Sequence, residues 1–323
     1  MATPLITPIH ENYLEIPCRD SFLPGTLAQA NPATRSNTVA VILHGQMAHR
    51  DQLYHKSLVR ALIEYRQMDS VRFDFTHAKY GASDWKWHMA RFHQDIEELQ
   101  FVVDYLAEML GYEIRLLIGH SKGALASFAY LSKIKNPPPF YVNLSGRYDM
   151  KRANDIMGPR YFPAFEKAGL YEWNAKVAGR QVVAKITPEQ FREFVNHDTS
   201  FINSTFAVGT HVLTLHGDAD PLVPVEDGKM YHFLLSQRPG PGTSTLHLVQ
   251  GGDHNYIGHF EEVVKTILDW LNRVDPINDA IPAPVLGLDV VAAATAEAGE
   301  DALAFIEWAD DYIGAEYIQR IAR

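Results

Sequence analysis

The chain has one cysteine, Cys18, so no intrachain disulfide can form. That fits a reducing compartment. It also lacks a surplus of basic charge: 29 Lys and Arg stand against 39 Asp and Glu, a formal charge of −10 over 323 residues. A sequence-independent nucleic-acid binder needs a basic face for phosphate, and this balance argues against one. No run of about 18 apolar residues occurs, so no membrane span is expected. Met1 to Asn12 has neither a basic start nor a continuous apolar stretch. No secretory signal is therefore expected, and the cytoplasm is the expected location. Low complexity is confined to Pro137-Pro138-Pro139, and no internal repeat stands out.

The composition that remains, 46% hydrophobic and 21% charged, is an ordinary globular mixture. Short apolar runs alternate with amphipathic stretches. Strands are expected at Thr38–Leu43, Ser70–Phe75, Glu113–Ile118, Phe140–Leu144, His211–Leu215 and Thr245–Val249. Helical spacing marks Gln52–Met68, Met89–Leu110 (stopped by Gly111), Ala124–Lys133 and Phe260–Val274. That alternation predicts an α/β protein with a mostly parallel central sheet and helices on both faces. Asn12–Arg19 and Ser21–Leu27 read as an antiparallel start to the sheet.

Two regions break the rhythm. Residues 146–207 exceed a usual connection and read as an inserted cap within a domain spanning 1–275. Its expected parts are a hairpin, Glu172–Thr187, turning at Ala178-Gly179, and a helix opened by Pro188. Residues 276–323 read as a C-terminal extension, with helical spacing of Phe305, Trp308, Ala309, Tyr312, Ile313 and Tyr317. Docking on the body is the plain reading of that helix, and a homodimer contact is its main rival.

The chemistry-bearing motif is Gly119-His120-Ser121-Lys122-Gly123, a G-x-S-x-G pattern between an expected strand and an expected helix. This is the context of a nucleophile elbow, which lifts a serine hydroxyl above the carboxyl edge of a sheet. A serine attacks only if a base takes its proton. His254, in the loop after the last strand, is the candidate base. The base needs a carboxylate to set its tautomer. His216-Gly217-Asp218-Ala219-Asp220 offers Asp218 and Asp220. Asp220 is chosen, and Asp218 is read as a turn residue. Asp253 is a weaker rival, because adjacent side chains point apart. The order Ser…Asp…His suits this fold. The oxyanion needs preorganised donors, and the backbone N–H groups of Gln46 and Lys122 are the candidates. Gly45 lets that backbone approach the substrate. Trp85, Trp87, Trp173 and the other aromatics of the insertion are candidates for a pocket lining.

These residues carry a resemblance. His44-Gly45, Gly119–Gly123, His216-Gly217-x-x-Asp220-x-x-Val223-Pro224 and Gly252-x-His254-x-Tyr256 resemble the α/β-hydrolases of the serine-esterase type. They are similar to the cinnamoyl or feruloyl esterase-like and serine aminopeptidase-like branches, and within them to fungal and yeast hydrolases. The resemblance implies the α/β-hydrolase fold and cleavage of small to medium acyl or aryl esters through a Ser121 acyl-enzyme. Lactone, thioester, amide or carbon–carbon cleavage are variants on the same triad. No metal-ligand motif is present in the sequence, and no cofactor is expected, since acyl transfer to water needs only the triad and the oxyanion hole. A non-catalytic ligand-binding module is the alternative of another class. The chain departs from the family at Gln46, where an aromatic or apolar residue is common. It departs again at Asp74–Asp84, which is longer than the family segment it resembles and lacks a glycine.

Overall fold

The computed structural model describes residues 8–76 and 87–276. Trp85 and the extension from residue 277 onward, with its expected helix and dimer contact, lie outside the described residues.

The elements run β1 (His10–Cys18), β2 (Ser21–Gln29), β3 (Thr38–Leu43), α1 (His55–Arg66), β4 (Asp69–Phe73), α2 (Phe92–Asp104), β5 (Glu113–His120), α3 (Lys122–Leu131) and β6 (Phe140–Leu144). After β6 come α4 (Ala153–Ala168), β7 (Tyr171–Val177), β8 (Arg180–Ile186), α5 (Pro188–Val195) and α6 (Phe201–Ser204). The chain then completes β9 (His211–Gly217), α7 (Val225–Ser236), β10 (Ser244–Val249) and α8 (Phe260–Val274). Eight strands form one sheet in the order β1-β2-β4-β3-β5-β6-β9-β10. The pairs from β4 to β10 are parallel, while β1–β2 and β2–β4 are antiparallel.

Strand periodicity of two sorts the core. In β3, Ala40 and Ile42 face a cluster with Leu58 and Leu62 of α1 and Trp270 of α8. Val39, Val41 and Leu43 face the other side, with Leu99 of α2, Phe128 of α3 and Tyr231 of α7. Helices therefore cover both faces, which is why the parallel strands read as continuous apolar runs. The chain reverses its direction of travel across the sheet at β3, with β4 on one side and β5 on the other. The loops after β3 and β5 thus meet at the carboxyl edge, where open α/β sheets place their sites.

The segment between β6 and β9 is α4, the two-stranded β7–β8 sheet, α5 and α6. The hairpin turns at Ala178 (φ 48°) and Gly179 (φ 75°), the positive-φ pair of a two-residue turn. Pro188 opens α5 and Thr187 caps it, its hydroxyl accepting from the Gln190 N–H. The spacing gives no sign of α4, because Pro159 and Pro163 lie inside it. The helix expected over Met89–Leu110 starts at Phe92, and its last turn, Tyr105–Met109, widens to π geometry before Gly111 (φ 66°) ends it. Helix α3 starts at Lys122, two residues before the expected Ala124, because the turn at Ser121 feeds straight into it.

Candidate active site

Ser121 sits between β5 and α3 with φ 54° and ψ −116°, a strained conformation for a non-glycine residue. Its flanking glycines permit that turn. A Cβ on Gly119 would lie 2.7 Å from the Ala124 Cα, and one on Gly123 would lie 2.6 Å from the His44 carbonyl oxygen. A side chain at either position would run into backbone. The Ser121 N–H donates to the Leu144 carbonyl at 2.8 Å, tying the turn to the end of β6.

The structure brings the three sequence-predicted residues together. His254 Nε2 lies 2.9 Å from the Ser121 hydroxyl, and His254 Nδ1 lies 2.7 Å from Asp220 Oδ2. Asp220 Oδ1 accepts from the N–H groups of Leu222 (2.8 Å) and Val223 (2.9 Å). Burial alone would raise the Asp220 carboxyl. The His254 charge and hydrogen bond, His216 and the Val223 amide outweigh it and hold it below its ordinary value. An ionised Asp220 only accepts, so His254 carries its proton on Nδ1 and leaves Nε2 free to accept from the serine.

The other two candidate carboxylates accept from backbone amides instead of His254. Asp218 Oδ1 accepts from the Gly251 N–H at 2.6 Å, a bond from the neighbouring loop rather than from its own turn as expected. Asp253 Oδ1 accepts from the N–H groups of Asn255 and Ile257, both at 3.0 Å. The acid and histidine loops meet through Gly217, where a Cβ would sit 2.1 Å from the Gly252 carbonyl oxygen. This contact explains the glycine at 217, while a Cβ on Gly252 would lie 2.8 Å from the Val249 side chain. The buried Tyr256 braces the same junction: Ser145 donates to its hydroxyl at 2.8 Å, and it donates to the Leu215 carbonyl at 2.9 Å.

Besides His216, which faces Asp220 at 3.6 Å, three buried histidines surround this frame. His44 Nε2 accepts from the Phe75 N–H at 3.1 Å, so its proton is on Nδ1, facing the Gly45 carbonyl at 2.7 Å. His120 Nε2 donates to the His254 carbonyl at 2.8 Å. His55 Nδ1 donates to the Arg50 carbonyl at 3.0 Å. Burial, ahead of neighbouring charges, pushes each of the three down to about 3. As pH falls, the unfolded chain takes up these protons near 6.5, while the native state refuses them until about 3. The stability they contribute is full above 6.5 and lost through that window. The unfolding free energy is therefore expected to fall steeply below pH 6.5, by up to about 6 kcal/mol at pH 5 for three groups at about 1.4 kcal/mol per unit each, and the denaturant midpoint with it. Denaturant melts at pH 7 and pH 5 check this. Equal midpoints would mean the imidazoles protonate in place.

A pocket opens at Ser121. Gly45, Gln46, Lys122 and His254 flank the serine within it, and a Cβ on Gly45 would lie 3.1 Å from the Ser121 Cβ. Gln46 keeps its side-chain Nε2 buried without a hydrogen-bond partner. The far wall comes from the insertion, with Met157, Trp173, Val177 and Phe194. The other insertion aromatics take a different place: Tyr161, Phe165 and Tyr171 cluster around Phe191 in the insertion's own core. Trp87 is also core, edge-on to Trp173 with ring centroids 6.4 Å apart.

Sequence reasoning missed Phe194, Arg147 and the partner of Lys122. Arg147 lines the pocket and donates to the Leu222 carbonyl, bracing the acid loop. The Lys122 ammonium forms a buried ion pair with Asp95 of α2 at 2.8 Å. Burial pushes the Asp95 carboxyl up to about 6, with Lys122 opposing. A signal was available, since Asp95 lies three residues after Phe92 and four before Leu99, on the apolar stripe of the helix. Among the described residues no cluster of His, Cys, Asp or Glu could hold a metal ion, and no helix is long and apolar enough to cross a membrane.

No protein-family model matches the chain. The uncharacterized protein YDL057W of Saccharomyces cerevisiae is 24% identical over 238 residues, covering 69% of this chain and 70% of the yeast protein. Est1E from Butyrivibrio proteoclasticus, a structure of which holds ferulic acid, superposes with a TM-score of 0.60. The match has 19% identity and covers 81% of this chain and 98% of Est1E. The esterase Pf2001 of Pyrococcus furiosus superposes with a TM-score of 0.58 at 18% identity, over 84% of this chain and 94% of its own. The chain has the α/β-hydrolase fold. The loops after β5, β9 and β10 bring Ser121, Asp220 and His254 together at one edge of the sheet.

Proposed function

We propose that the protein is a serine-dependent carboxylic-ester hydrolase, acting on small to medium acyl or aryl esters through a Ser121 acyl-enzyme. The observation that carries this reading is the Asp220–His254–Ser121 line, with contacts of 2.7 and 2.9 Å, opening into a pocket walled by apolar side chains. The fold shared with Est1E and Pf2001 supports it. His254 Nε2 takes the hydroxyl proton as Ser121 Oγ bonds to the ester carbonyl carbon. The backbone N–H groups of Gln46 and Lys122 receive the oxyanion. The imidazolium, stabilised by Asp220, gives its proton to the leaving alkoxide as the C–O bond breaks. His254 then deprotonates a water that attacks the acyl-enzyme, and the proton returns to Ser121 as the acid leaves. The insertion acts as the cap: Trp173 and Phe194 shield the acyl group from water.

A fluorophosphonate probe tests the assignment directly. Intact-mass and peptide mass spectrometry are expected to find one adduct, on Ser121, and none in Ser121→Ala. A folded protein that takes no label, or takes it elsewhere, would remove the nucleophile assignment.

A further inference from the structure

The Lys122 side chain leaves the pocket and runs to the junction of three elements. Its ammonium pairs with Asp95 at 2.8 Å, with both side chains almost fully buried. It also stands over the ring of Phe92 at 5.3 Å, the first residue of α2. The Phe92 ring in turn stacks on Phe194, in the last turn of α5, and on His197, two residues beyond its end. It lies 3.9 Å from His197, with an interplanar angle of 23°, and 5.7 Å from Phe194, with an angle of 25°. Phe194 is the residue by which α5 walls the pocket. An unbroken line of contact thus runs Asp95–Lys122–Phe92–Phe194, from the helix of the nucleophile to the wall facing it. Phe191, one turn earlier in α5, packs on Tyr161, Phe162 and Phe165 of the insertion, while Phe92 and His88, whose Nε2 lies 3.5 Å from Glu193, both reach this end of α5 from the body.

Resting on the ester-hydrolase reading, we propose that Asp95 is a positioning residue. Through Lys122 and Phe92 it holds α5 against the nucleophile helix, places Phe194, and so sets how broad an acyl group the site accepts. The ion pair fixes the Lys122 chain, the Lys122 charge holds the Phe92 ring face, and that face is the seat of the α5 end. The elbow itself does not depend on this line, because Gly119 and Gly123 lock it by backbone contact. Disturbing the line should therefore alter acyl selectivity while sparing the chemistry on an acyl group too short to reach Phe194.

The test compares 4-nitrophenyl acetate with 4-nitrophenyl 3-phenylpropanoate, in wild type, Asp95→Asn and Phe92→Leu. Asp95→Asn leaves a buried ammonium without its counter-charge and lowers stability, so Phe92→Leu, which keeps the ion pair and much of the volume, provides a second route. Both variants are expected to raise KM for the phenylpropanoate about 10-fold, the scale of a misfitted apolar pocket. kcat and KM for the acetate should stay within about 2-fold. If a folded variant loses both substrates equally, or changes neither, Asp95 does not position the wall. If wild type cleaves neither ester and Ser121 takes no phosphonate, the hydrolase reading itself fails and this one with it. Cleavage of both esters by wild type separates the two failures.

Discussion

Ser121→Ala is expected to lower kcat for an aryl ester by about 10⁴-fold or more, with the fold intact. Truncation removes only the oxygen 2.9 Å from His254 Nε2, which is the atom that would form the acyl-enzyme. Among the described residues, the Ser145 hydroxyl is already engaged with Tyr256. Residual turnover should come from the oxyanion donors and from substrate binding, which retain about 10³-fold over water in comparable sites. The backbone of the elbow should survive, because glycine packing against Ala124 and His44 defines it. Stability should shift by about 1 kcal/mol or less, the worth of one hydrogen bond. Steady-state rates beside a denaturant melt check both halves. Wild-type rates in a folded Ser121→Ala protein would mean that the reaction runs through another group. His254→Ala should match Ser121→Ala in magnitude, and the double variant should cost no more than either, since the two act as one unit.

Much of this was legible in the sequence, for identifiable reasons. Parallel strands buried on both faces show as apolar runs, so Thr38–Leu43 and Phe140–Leu144 read at their observed bounds. A site at the carboxyl edge of a sheet draws its residues from the loops after strands. Locating β5, β9 and β10 therefore located the Ser121, Asp220 and His254 loops. What stayed hidden was not periodic or not local. Helix α4 carries two prolines, and α7 leaves Met230 and Phe233 exposed, so neither shows a clear apolar stripe. The pocket wall depends on which side of each insertion element meets the body. Trp173 and Tyr171 lie two residues apart on one strand, yet Trp173 lines the pocket while Tyr171 stacks on Tyr161. The Lys122–Asp95 pair joins residues 27 apart on different helices, and spacing shows only that each is buried, not that they meet.

The sharpest discrimination lies between the two acids of one loop. Asp220→Asn is expected to lower kcat by about 10³–10⁴-fold, and Asp218→Asn by no more than about 3-fold, although the residues are two apart and the change is identical. An asparagine at 220 can keep its carbonyl oxygen on the Leu222 and Val223 amides, which Asp220 Oδ1 now serves. Its NH₂ group then occupies the place of Oδ2, 2.7 Å from His254 Nδ1. Two donors cannot face each other, so the imidazole must move its proton to Nε2. That tautomer presents N–H to Ser121 and cannot accept its proton. The loop geometry is preserved while the base is disabled, so KM should change little and kcat should carry the loss. Asp218 instead accepts a backbone N–H from Gly251 at an exposed turn, and an asparagine oxygen can take over that bond. If folded Asp218→Asn proved the more damaging, the hydrogen bond between Asp220 and His254 would not be the one that sets the base, and the acid of the site would have to be reassigned.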